Sequence, residues 1–187
     1  ISRQVIINDD LSVIVDLPFK MLRAAKRKVG DCVYTVLTAN GAMGDGNNLF
    51  DTTNHKNVGT TGVVGTTTVG EAIKLMGLQT DVGGNAFLNL RPEYFIAPKT
   101  IEGAAEVFFR SERFADSDTV ATDSSLAATR VNPYAGNYFT RVYDARLDGS
   151  DTAKYYFAGP KGLTVTVFYL NGQKTPYMEQ REGWTVD

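Results

Sequence analysis

Chemistry near neutral pH needs a nucleophile with a base in reach, a set of metal ligands, or a glycine loop that cradles phosphate. The sequence holds thin material for each. Its only histidine is His55 and its only cysteine is Cys32. A small hydrolase would need His55 as base and a hydroxyl such as Ser124 or Ser125 as nucleophile. Cys32 falls on the apolar face of an expected helix, which reads as a buried structural thiol. His55 sits in a long polar loop, where bonding to the backbone is the simpler role, and no second histidine exists to complete a zinc set.

Three further stretches test the same question. "DGNNLFD", residues 45–51, places oxygens at alternate positions like the start of a calcium loop, but the twelfth position, where a bidentate Glu belongs, is Lys56. Neither "GTTGVVG" nor "GDG" is followed by the Lys-Ser or Lys-Thr pair of a phosphate loop. Asp9 and Asp10 are adjacent, so on an extended chain their carboxylates point apart and shape a turn rather than share a proton. The reading is therefore of a protein that is not an enzyme, with no catalytic residue, no cofactor, no metal and no small-molecule substrate.

The most specific remaining feature is a row of cations. Asp16 as N-cap, Pro18 in the first turn and Asn40-Gly41 as a left-handed stop define a helix over 16–40, roughly 35 Å of rod. Met21, Leu22, Ala25, Val29, Cys32, Val33 and Val36 share one sector of it, and Lys20, Arg23, Lys26 and Arg27 the opposite one. With Lys28 these cations could neutralise phosphates, which makes a DNA-binding module the alternative reading. Asp16 and Asp31 stand four residues from Lys20 and Arg27, and the chain carries a formal charge of −2, so protein partners are favoured.

The remaining elements follow from pattern and punctuation. A short β-type run at Val5–Ile7 leads into the Asn8-Asp9-Asp10 turn, and residues 41–67 form a long excursion with neither helical nor strand period. Thr68 and Glu71 make a capping box for a helix to about Gln79, with Val69, Ala72, Ile73 and Met76 inward. "DVGGN" then turns the chain into "AFLNL" and the strand "EYFIA"; Thr100 caps a helix buried through Ile101, Ala104, Ala105 and Phe108. Residues 113–132 are polar and aperiodic, ending at the Asn132-Pro133 turn. From 137 onward, "YFTRVYDARL", "TAKYYFA", "GLTVTVFYL" and "PYMEQREGW" read as a strand meander split by Asp148-Gly149, Gly159-Pro160 and Asn171-Gly172. Helices come early and strands late, so the expected class is α+β without βαβ alternation.

Composition agrees with a globular chain: 187 residues, 43% hydrophobic and 21% charged, enough for one large domain or two small lobes. A single cysteine excludes an internal disulfide and suits a reducing compartment. No run reaches the ~20 apolar residues of a membrane helix, and the absence of an initiator Met suggests a processed or excised piece.

"SRQVIINDDL" running into a long helix, "LFDTTNHKN" after it, "LNLRPEYFIAPKTIEGAAEVFFRS", and the closing "PYMEQREGWTVD" resemble the major capsid protein of tailed bacteriophages and prophages, nearest the Mu-like major head subunit. The resemblance implies the Hong Kong 97-like fold. A peripheral lobe, residues 1–67 and 161–187, would hold the spine helix 16–40 and a β-ribbon, and an axial lobe, 69–160, a central sheet flanked by helices. The N-terminal arm, extended β-loop and last strand usual in that family are not present in this sequence. The implied function is an icosahedral head shell built from copies of the chain in the host cytoplasm, located in the virion capsid. Scaffold or portal proteins would be further partners and packaged DNA a non-specific one, with no membrane. Lys20, Arg23 and Arg27 of the helix and Glu179, Arg181 and Glu182 of the ribbon are the expected subunit contacts, because opposite charges set orientation between surfaces.

Overall fold

The computed structural model describes residues 13–113 and 131–174, with side chains described from residue 16. The run at Val5–Ile7, the Asp9-Asp10 turn, most of the 113–132 loop and the ribbon from residue 175 lie outside them. The chain divides into two compact units, Ile1–Thr35 with Val167–Asp187, and Val36–Thr166.

Helix α1 spans Val13–Ala39, 27 residues or about 40 Å. It starts before Asp16, which therefore sits in the first turn instead of capping it. There its carboxylate still complements the positive end of the helix. Asn40 takes φ 46°, the left-handed stop expected of it. The apolar sector departs from expectation. Leu22, Ala25, Val29 and Val33 are half-buried, but Met21, Cys32 and Val36 are exposed, Val36 by 65%, and no described side chain of α1 is buried. An amphipathic stripe states that a covering surface is wanted; it does not require the same chain to supply it.

In the second unit α2 spans Thr66–Gly77, three residues earlier at its start than the Thr68 cap implied. Gly65 occupies the cap position, and Thr68 Oγ accepts its N–H at 3.1 Å while donating to Val63 O at 3.0 Å. Glu71 is thereby released from the box and accepts the Thr60 N–H at 2.9 Å, tying down the preceding loop. Val69 is fully buried, and Ala72, Ile73 and Met76 are half-buried on the same side.

Strand β1 spans Tyr94–Ala97, a 3-10 turn Lys99–Ile101 follows, and α3 spans Glu102–Arg110. Then come β2 (Thr140–Tyr143), α4 (Ala145–Asp148) and β3 (Tyr156–Ala158). The sheet order is β2-β1-β3. β1 pairs antiparallel with β3 but parallel with β2, Tyr94 opposite Thr140 through Ala97 opposite Tyr143. The mixed helix-and-sheet class stands, yet β1-α3-β2 is a βαβ unit, which the sequence reading excluded. Parallel pairing needs a long crossover, and α3 with the following segment supplies it.

Phe95 and Ala97 alternate inward from β1, and Phe95 is wrapped by rings at 5.0 Å (Phe109), 5.4 Å (Phe157) and 5.6 Å (Tyr155). Val69, Ala105, Phe109 and Phe139 complete the buried cluster. Edge-on aromatic packing of this kind adds about 0.5–1.5 kcal/mol per pair beyond area burial. On α3 the buried positions are Ala105 and Phe109; Ala104, expected inward, is exposed. Thr100 is not the cap either. The Lys99 and Thr100 amides donate to the Asp148 carboxylate at 2.8 and 3.0 Å, so what α4 caps is the 3-10 turn that leads into α3.

Asn132 closes the other end of α3. Its Nδ2 donates to Phe108 O at 2.7 Å and Ser111 O at 3.1 Å, and its Oδ1 accepts the Tyr134 N–H at 2.9 Å, with only 3% of the residue exposed. Runs read as strand behave unevenly. In "DARL" Asp144 is the N-cap and Ala145–Leu147 are helical within α4, and "AFLNL" contributes one isolated bridge, Thr80 with Phe87. "GLTVTVFYL" forms no strand among the described residues. A β-prone run becomes a strand only when a partner edge meets it. The Asn171-Gly172 turn does form, with φ 53° and 70°.

Candidate functional site

Three surfaces carry concentrated polar chemistry. The first is the basic face of α1, where Lys20, Arg23 and Arg27 recur at three- and four-residue spacing on one side and are all exposed, as are Lys26 and Lys28. The other three contact candidates, Glu179, Arg181 and Glu182, lie outside the described residues. The structure thus displays half of the expected set on one face.

The second surface is the loop after α1, which the sequence left without structure. Asn40 exchanges two bonds with the Phe50 backbone, donating to its carbonyl at 3.1 Å and accepting its amide at 2.6 Å. Asp51 accepts from Thr53 and Asn54, and Asn57 donates to Leu49 O at 2.8 Å. His55 lies at the centre, with Nε2 2.9 Å from the Asp45 carboxylate and Nδ1 3.2 Å from Leu49 O. Both partners are acceptors, and only the imidazolium can donate from both nitrogens. Consistently, the hydrogen bond to Asp45 raises the His55 pKa above its ordinary value, and bonds from Asn47 and then His55 hold Asp45 down at about 2. Asp45 and Asn47 are thus used within the loop itself, and no group of three or more potential metal ligands occurs among the described residues. A hydrolytic role for His55 has no support from its geometry: both nitrogens are committed, and Ser124 and Ser125 lie outside the described residues.

The third surface, an open depression between α3 and β2, was missed in the sequence. Glu106 is its centre. Arg110 Nε meets Glu106 Oε2 at 2.7 Å, and Arg141 Nε meets Oε1 at 2.8 Å, where the Tyr143 hydroxyl also donates at 2.9 Å. Arg141 is fixed further by Gly136 O at 2.6 Å and by the Phe109 ring, 5.7 Å from its Cζ. Burial opposes the charge on Glu106, but the bonds from Arg110 and Tyr143 and the Arg141 charge outweigh it and hold the carboxyl below its usual range. Burial, then the Glu106 bond, pushes the Tyr143 phenol far up, so it remains a neutral donor. The one signal the sequence carries for this cluster is the four-residue spacing of Glu106 and Arg110 on one helix. Arg141 and Tyr143 arrive through the parallel pairing of β2.

None of these surfaces presents a nucleophile beside a free base. Among the described residues no helix is long and apolar enough to cross a membrane. A family model described as phage capsid protein matches residues 1–187. Comparison with curated proteins and with solved structures gives no match.

Proposed function

Since the chain belongs to the phage capsid protein family along its whole length, its role is structural, and we propose that it is the major head subunit of a tailed phage or prophage, of the Hong Kong 97-like fold and the Mu-like branch. Many copies tile an icosahedral shell around DNA, each contact modest and the sum large through symmetry and multivalency. Scaffold and portal proteins are further partners, and assembly takes place in the host cytoplasm. The proposed lobes are 1–67 with 161–187, and 69–160. What supports a two-lobe reading is that both ends of the chain fall in one compact unit; those units differ from the proposed lobes in keeping 36–67 and 161–166 with the sheet.

The observation that carries the contact assignment is the exposed basic face of α1 on a helix whose apolar side is also only half covered. A helix so placed fits a surface outside itself better than an enclosed ligand. Reversing charge with R23E and R27E together in the intact coat protein tests this, with particles counted by electron microscopy. Few or no particles from a folded protein is the expected result; normal particles would remove the assignment. The same cations favour a second reading, a DNA-binding module. Phosphate contacts lose affinity steeply with salt, so absence of DNA binding at low salt would dismiss it.

A further inference from the structure

An Asp or Asn stands directly before a glycine at Asn40-Gly41, Asp45-Gly46, Asp148-Gly149 and Asn171-Gly172. Such a pair can react with itself, because glycine has no side chain to shield its backbone nitrogen from the side-chain carbonyl carbon of the residue before it. The fold holds the first three. The Phe50 backbone binds the Asn40 side chain at both its nitrogen and its oxygen, at 3.1 and 2.6 Å, and Gly41 O accepts the Leu49 N–H at 3.1 Å. Asp45 takes bonds from the Asn47 amide, Asn47 Nδ2 and His55 at 3.1, 3.0 and 2.9 Å. Asp148 accepts the Lys99 and Thr100 amides. Asn171 differs: it and Gly172 are exposed, and its side chain makes no hydrogen bond among the described residues. The Gly172 N–H donates to Tyr169 O at 3.1 Å within the 3-10 turn Leu170–Gly172. A single exposed turn with the poorer geometry of 3-10 bonding opens readily.

We propose that Asn171-Gly172 is a self-modification site, at which Asn171 deamidates in the folded chain while Asn40-Gly41 is protected. The Gly172 nitrogen, its proton passed to a base in solvent, attacks Asn171 Cγ. The new C–N bond closes a succinimide ring as the Cγ–Nδ2 bond breaks, and Nδ2 leaves, protonated, as ammonia. Water then opens the ring at either carbonyl and leaves Asp or isoAsp at 171, with nothing oxidised or reduced. Closure needs only the Gly172 N–H released from Tyr169 O, whereas at Asn40 two side-chain bonds must break before Cγ can swing toward Gly41 N. Two bonds of ordinary net strength slow Asn40 by roughly thirtyfold relative to Asn171. IsoAsp routes the main chain through its β-carbon and so alters the turn, and either product adds a carboxylate that takes the formal charge of the chain from −2 to −3. The proposal stands on the two asparagine environments and does not depend on the capsid reading.

The test is peptide mapping by mass spectrometry after the full chain has been incubated, folded, in mildly alkaline buffer, with a parallel sample in guanidinium chloride. Trypsin releases Asn171 in the peptide 162–174, and fragmentation assigns any gain in mass to a residue. In the folded sample Asn171 is expected to gain about 1 Da, as its amide NH2 becomes OH, and its peptide to split into two chromatographic peaks, Asp and isoAsp. Asn40 is expected to convert roughly thirtyfold more slowly. In guanidinium chloride the two asparagines are expected to convert at similar rates, because the Phe50 bonds are gone. No conversion of Asn171 in the folded chain over a time in which the denatured chain converts, or conversion of folded Asn40 at the same rate as Asn171, would overturn the proposal. So would an Asn40 that stays slow in the denaturant, since its protection would then come from neighbouring sequence and not from the fold.

Discussion

Replacing Asn132 by Ala removes the closure of α3 without touching the aromatic core. Three bonds go: Nδ2 to Phe108 O at 2.7 Å, Nδ2 to Ser111 O at 3.1 Å, and the Tyr134 amide to Oδ1 at 2.9 Å. Each is worth about 1 kcal/mol net, so the expected loss is about 3 kcal/mol, larger where a carbonyl is left buried without water. The backbone bond from Asn132 N to Glu112 O at 2.8 Å survives, which limits the damage to the side chain. For a unit of this size that loss lowers the melting temperature by about 10 °C in a circular-dichroism melt. Asn132→Asp is the sharper variant. It keeps the shape but sets a carboxylate oxygen against two carbonyl oxygens, so it is expected to melt lower at neutral pH than at a pH where the new carboxyl is protonated and can donate. A melt of Asn132→Ala within about 2 °C of the parent would refute the reasoning, because it would mean that three bonds at a 3% exposed side chain contribute almost nothing.

Phe95→Ala opens a cavity among four aromatic rings and is expected to cost about 3–5 kcal/mol in urea unfolding, against about 1 kcal/mol or less for exposed Val107→Ala. Asp148→Ala uncaps the Lys99 and Thr100 amides, which should exchange hydrogen faster while amides in α2 keep their rates. His55 should titrate above its ordinary 6.5 in a proton resonance experiment, and Asp45→Asn should bring the midpoint down, because the Asp45 bond is the largest cause of the rise. A folded pKa raised above the unfolded one gives stability that is complete below 6.5 and lost as pH rises through the folded value. Asp45, depressed to about 2, works the other way, and its share is lost as pH falls from 3.8 toward 2.

What the sequence made legible was local. The Asn40 stop, the inward period of α2 around Val69, the buried strand "EYFIA" and the left-handed Asn171-Gly172 turn each depend on residues within a few positions of one another. What it hid was brought together across distance. Asp148 caps the 3-10 turn before α3 from 48 residues away, Asn132 closes the far end of α3 from 21 residues on, and Arg141 completes the Glu106 cluster only because β2 runs parallel to β1. Asp148-Gly149 read as a turn because Asp is common in turns, and nothing nearby distinguishes an Asp that caps a remote helix. Cys32 and Val36 show the other limit. Their spacing on α1 identified an apolar face correctly, while burial depends on what covers that face, which periodicity does not encode.

The family membership gives the chain a structural role in a phage capsid, and the proposal of a head shell whose subunits meet through α1 goes one step further. An electron cryo-microscopy map of the assembled particle tests that step most directly. The account predicts that the rod of α1 and the three-stranded sheet of β1, β2 and β3 fit the shell density, with Lys20, Arg23 and Arg27 within contact distance of a neighbouring subunit. A shell into which neither fits, or one in which the basic face of α1 meets only solvent, would contradict it.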